Sequence, residues 1–97
     1  MNFKVLEVRI IGKGSLIAEV VGQYGEFDEI RGFTVFRNGK HSWASWPSRP
    51  WDGKDGQRHW EPIIKPTNEL RKAIDPIILQ AVADKFREDG ITEKAPL

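Results

Sequence analysis

The stretch 30–46, IRGFTVFRNGKHSWASW, decides how this chain folds. Two runs of alternating apolar and polar side chains meet at Asn38-Gly39, the strongest short-range signal of a two-residue hairpin turn. The alternation predicts strands over 30–37 and 40–46. A loop at 38–39 sets Arg37 opposite Lys40, Val35 opposite Ser42, Phe33 opposite Ala44 and Arg31 opposite Trp46. One face then carries Phe33, Val35, Ala44 and Trp46. The other carries Thr34, Phe36, His41 and Trp43, and is aromatic as well. A single-layer sheet with one helix covers one face only, which leaves the second for a partner chain or stacked bases. Self-association is the commoner use of such a surface, so Phe36, His41 and Trp43 are the candidate contacts of a homodimer.

Working outward, residues 3–11 alternate as a strand, GKGS at 12–15 supplies a turn, and residues 16–24 return with Leu16, Ala18 and Val20 on one face. Glu19 falls where Glu7 and Arg9 can meet it across strands. Downstream, PSRPWDGKDGQRH at 47–59 is dense in Pro, Gly and Asp and reads as a loop without regular structure. A short fifth strand is expected over 60–64, where Pro62 implies an edge or a bulge. Thr67 or Asn68 can cap a helix whose stripe is Leu70, Ile74, Ile77, Ile78, Ala81, Val82 and Phe86. Pro76 lies off that stripe and implies a kink in one helix or, with Asp75 as cap, a split into two. Gly90 stops the helix, and 90–97 reads as a frayed tail. The expectation is one α+β domain over 1–97, with a small antiparallel sheet of four to five strands followed by a C-terminal helix.

Composition narrows the function classes. The 97 residues are 30% charged and 39% hydrophobic, the balance of a globular protein. No run approaches the roughly 18 apolar residues of a membrane span, and the strand-like N-terminus is not a signal peptide, so a cytoplasmic location is expected. The chain has no cysteine, which removes disulfides, thiolate metal sites and a cysteine nucleophile. His41 and His59 lack the i, i+4 spacing of a helical metal pair, and GKG at 12–14 lacks the rest of a phosphate loop. Asp52 and Asp55 sit in DGKDG, where turn chemistry already explains them. The expectation is therefore no catalysis, no metal and no cofactor.

Charge points elsewhere. Residues 31–72 hold nine basic and four acidic side chains, an excess of +5 flanked by segments of −2 each, although the whole chain is only +1. All four tryptophans, Trp43, Trp46, Trp51 and Trp60, lie in that basic block. The candidate nucleic-acid contacts are Arg49, Lys54, Arg58, Lys65, Arg71 and Lys72 for phosphates, with Trp51 or Trp60 for stacking on unpaired bases. The alternative is a protein-interaction adaptor that uses the aromatic hairpin face and the proline-rich loop.

The string EIRGF (29–33), the strand ending in WPSR (46–49), the Gly/Asp-rich loop closing at Arg58, Pro62-Ile63 and the ELR helix start (69–71) resemble, in order and spacing, the SpoVG septation-regulator family. The resemblance spans roughly residues 4–86. It implies a homodimer built on an antiparallel sheet with a C-terminal helix, binding DNA or RNA and regulating expression or division.

Overall fold

The computed structural model describes residues 2–90. The expected tail therefore lies outside the described residues beyond Gly90. The elements run β1 (Phe3–Lys13), β2 (Leu16–Tyr24), β3 (Phe27–Asn38), β4 (His41–Ser45), β5 (Ser48–Asp52), β6 (Arg58–Pro62) and α1 (Asn68–Glu88). The first four form an antiparallel meander in the order β1-β2-β3-β4, and β5 pairs with β6 in a separate two-stranded ribbon. This is the α+β architecture that the alternation implies, with one strand more than expected. No helix of the described residues is long and apolar enough to cross a membrane.

All three meander hairpins use one turn chemistry. Lys13 pairs with Leu16, Tyr24 with Phe27 and Asn38 with His41, leaving the two-residue loops Gly14-Ser15, Gly25-Glu26 and Gly39-Lys40. The glycine has positive φ in each, at +57°, +59° and +65°, while no other residue type does. Positive φ at the first central position alone is the II′ pattern, which matches the twist of the flanking strands. The turn thus falls one residue later than the Asn38-Gly39 expectation, with glycine at the first central position as in the other two hairpins. The register moves accordingly: Val35 faces Ala44, Phe36 faces Trp43 and Arg37 faces Ser42. The shift is by two residues in pairing, so the expected faces survive it intact.

Strand β1 is less regular. Its register slips between Val5 and Glu7 and again between Ile10 and Lys13. The first bulge switches the inward set from Phe3 and Val5 to Val8 and Ile10, and leaves Leu6 exposed. Arg9 and Glu19 are cross-strand partners and pair at 2.8 Å.

One face of the meander carries the core. Ala18, Val20, Phe33, Val35, Ala44 and Trp46 are buried there against Ile74, Ile78, Val82 and Phe86 of α1. Phe33 stands at the centre, fully buried, with Phe3 edge-on at 5.7 Å and Trp46 edge-on at 5.1 Å. Such T-shaped contacts let the positive ring edge meet the negative face. The helix begins where Thr67 Oγ1 accepts the Leu70 N–H at 3.2 Å. It is continuous through Pro76, so the split into two helices does not occur. Pro76 is on the exposed side, where the Lys72 carbonyl that loses its helical donor can turn to water.

The ribbon is the departure from expectation. Residues 47–59 are not an irregular loop: Arg49 faces Glu61, Pro50 faces Trp60, Trp51 faces His59 and Asp52 faces Arg58. The fifth expected strand accordingly occupies 58–62 rather than 60–64. The prolines are tolerated because a two-stranded ribbon is all edge, and half its N–H groups require no ladder partner. The ribbon is tied to the body at its base, where the Pro47 carbonyl accepts from Ile63 N at 2.9 Å and Ile64 N at 3.3 Å. Its projection is reflected in the extents of 45 × 34 × 22 Å and a radius of gyration of 14.1 Å, against about 13 Å for a compact chain of this length.

One core position tests this packing. A Cβ on buried Gly22 would lie 2.6 Å from the Phe3 ring, so Gly22→Ala is expected to destabilise the protein by about 1–3 kcal/mol through overpacking. In denaturant unfolding, Phe3→Leu should recover part of that loss in the double variant, because the shorter side chain leaves room for the methyl group.

Candidate nucleic-acid interface

The eight expected contact residues fall into four groups in space. The ladder alternates faces, so Arg49 and Trp51 share one side of the ribbon with Glu61 and His59. Arg58 and Trp60 share the other side with Asp52 and Pro50. Lys54 lies in the loop at the tip. Lys65, Arg71 and Lys72 lie beyond the base, on the linker and the first turns of α1.

Trp60 and the helix start meet across an open cleft of about 280 Å³, lined by Trp46, Ser48, Trp60, Ile64, Lys65 and Arg71 among others. Trp60 is 66% exposed and Trp51 46%. Trp51 stacks on His59, with ring centroids 4.7 Å apart. Trp60 therefore shares the cleft with Lys65 and Arg71, Arg58 lies on the same ribbon side nearer the tip, and Arg49 and Trp51 are on the opposite side. The ribbon residues of the basic block are thus divided between the two sides of the ribbon.

Pairing further sorts the cations. Arg49 Nε donates to Glu61, Arg58 sits 3.8 Å from Asp52, and Arg71 Nε donates to Asp75 at 3.3 Å. Lys54, Lys65 and Lys72 have no carboxylate partner among the described residues. Exposed pairs of this kind are worth about 0–1 kcal/mol, so a phosphate can compete for the arginines, while the lysines are available outright.

Asp75 does more than hold Arg71. It also accepts the Trp46 Nε1–H at 2.7 Å, giving that buried indole its hydrogen-bond partner. The cleft floor is therefore locked to the helix start. At the ribbon tip, Asp55 accepts from the Gln57 N–H at 3.0 Å and contacts His59 Nε2 at 3.2 Å. These two interactions, the backbone N–H first, hold its carboxyl below the usual carboxylate range. The expected dimer contacts come together on the sheet face away from the helix. Trp43 lies between Phe36 at 5.8 Å and His41 at 5.3 Å, in near-parallel stacks.

Residues that sequence reasoning passed over complete these sites. Asp75 is the chief one, and its Arg71–Asp75 spacing of i, i+4 is a readable signal on a helix. The complementary pairs Arg49/Glu61 and Asp52/Arg58, symmetric about the GKDG turn, are the signal for the missed ribbon. Comparison with protein-family models, curated proteins and solved structures found no match.

Two outcomes follow from these contacts. Asp75→Ala leaves the buried Trp46 N–H without its acceptor and should cost about 1–3 kcal/mol in denaturant unfolding, whereas Asp75→Asn keeps an acceptor and should cost less. The Asp55 carboxyl, being depressed in the folded state, contributes stability that is complete above its unfolded pKa and lost as pH falls through its folded value. The Gln57 amide resonance, followed by NMR, should thus shift as pH falls through that folded value, and Asp55→Asn should abolish that transition.

Proposed function

We propose that this protein is a non-catalytic nucleic-acid-binding regulator that acts as a homodimer, in keeping with its resemblance to the SpoVG septation-regulator family. The observation that carries the reading is Trp60, widely exposed on a projecting ribbon beside Lys65 and Arg71. An indole held in water next to the Lys65 ammonium, unpaired among the described residues, and the Arg71 guanidinium, which Asp75 holds at 3.3 Å, suits a ligand that joins flat aromatic rings to phosphates. Stacking contributes about 1–3 kcal/mol per base. The electrostatic part is modest, because of the six candidate cations only Lys54, Lys65 and Lys72 have no carboxylate partner among the described residues, and the ribbon arginines must first leave theirs.

The homodimer reading rests on the uncovered sheet face. Phe36, Trp43 and His41 form a ring stack there, and Glu7, Arg9, Glu19 and Arg31 line a neighbouring recess on the same side. A two-fold operation sets such a surface against itself, pairing aromatic with aromatic and acid with base. A second reading, docking of another protein, is favoured by Ile63 and Ile64, exposed at the ribbon base. Protein docking through those residues would be nearly indifferent to salt.

A salt titration with single-stranded DNA, duplex DNA and RNA decides between these readings. On single strands the affinity should fall with a log–log slope of about −2 per subunit, from roughly 0.7 counterion released at each of three lysine contacts. Lys65→Ala should reduce the slope by about 0.7. The absence of binding at low salt would overturn the proposal. In sedimentation at micromolar concentration the wild type should run at twice 11.1 kDa, and Trp43→Asp should run as a folded monomer that melts cooperatively at a lower, concentration-independent temperature. A monomeric wild type would remove the dimer.

A further inference from the structure

Trp51 and Trp60 occupy neighbouring rungs of one ladder, opposite His59 and Pro50 respectively. Neighbouring rungs point to opposite faces of a sheet, so the two indoles project from the two sides of a ribbon one layer thick. A flat or rod-like ligand can lie on one side and reach one indole. Only a ligand that is flexible, and that offers ring faces at separate points along its length, can use both. Duplex nucleic acid fails on each count, because its bases are already stacked on one another and its backbone is stiff over the width of a ribbon.

The two indoles are not equivalent. Trp60 has no ring partner among the described residues and shares its cleft with Lys65, which has no carboxylate partner among those residues, and with Glu61 and Arg71, the latter held by Asp75. Trp51 has one of its faces against His59, and on its side the nearest cation, Arg49, is engaged by Glu61. A strand should therefore occupy the Trp60 side first, where a base and its flanking phosphate both find partners.

We propose, resting on the nucleic-acid reading above, that the ribbon is a two-sided stacking finger for single strands. One unpaired base lies on Trp60 with its phosphate against Lys65 and Arg71, and the same strand passes round the ribbon to lay a second base on Trp51. Lys54 at the tip is placed to meet the backbone as it crosses. Selectivity for single over double strands arises from this geometry and not from reading base edges.

The test measures affinities of oligothymidylates of roughly three and about twelve nucleotides, the latter within the roughly 4–16 that single-strand sites engage, against a duplex of the longer length. The proteins are the wild type, Trp60→Leu, Trp60→Phe, Trp51→Leu and the double leucine variant. Both indoles are exposed, so melting curves should be unchanged. The short strand should lose roughly 5- to 150-fold in affinity with Trp60→Leu, the equivalent of one base stack, and be indifferent to Trp51→Leu. The long strand should weaken with either leucine, and the double variant should show the product of the two losses. Trp60→Phe should recover most of its loss, because a ring is needed and not only an apolar side chain. Equal sensitivity of the short strand to both leucines, or a wild type that prefers the duplex, would overturn the two-sided finger. So would binding of the long strand that is indifferent to both leucines, with the nucleic-acid reading left standing. A wild type that binds none of the three at low salt would instead remove that underlying reading.

Discussion

The hydrogen bond from the Trp46 indole to Asp75 is the contact on which the rest of this molecule depends. Trp46 is the last inward residue of the meander, edge-on to Phe33 at the centre of the core. Asp75 lies two turns into the only helix of the described residues. Their bond fixes the helix start against the end of β4 at the point where the chain leaves the sheet to make the ribbon. Pro47, the next residue, packs beside Gly32 and accepts both amide bonds that anchor the returning strand. Core, helix and ribbon are thus joined within two residues, and the cleft is the space that this junction leaves open.

Burial explains why only one side of the sheet is finished. Covering apolar surface stabilises by roughly 25 cal/mol per Å², and a single amphipathic helix can do this for one face of a four-stranded sheet. The inner face takes Ala18, Val20, Val35, Ala44 and the Phe33 cluster. The outer face keeps Phe36 and Trp43, which shield each other by stacking but remain partly in water. The one helix among the described residues covers the core, and the remaining aromatic surface is divided between the back of the sheet and the ribbon.

The meander was legible in the sequence because its signals are local. Period-two alternation assigns the two faces of β3 and β4 correctly even when the turn is placed one residue early. The exact turn is not legible from Asn38-Gly39 alone, since the choice between I′ and II′ depends on which residue takes positive φ. The helix is legible from Thr67 to Gly90 because cap, stripe and stop agree, and its continuity at Pro76 is decided by packing of Ile74 and Ile78 on the sheet. The ribbon was hidden by its composition: Pro, Gly and Asp argue against strands, and the cross-strand pairs that outweigh them lie up to twelve residues apart. For the same reason the candidate contacts are legible as a group while their division between two sides is not. That division is a property of register.

The ribbon's attachment has a mechanical meaning. Its own ladder runs from Ser48–Pro62 to Asp52–Arg58, but it meets the body chiefly through one carbonyl, that of Pro47. A beam that is stiff along its length and held at one point behaves as a lever. A tug on its tip leaves the internal pairing intact and concentrates as torque at Pro47, one residue from the indole that anchors the core. Proline, with its fixed φ, is the residue least able to yield to that torque.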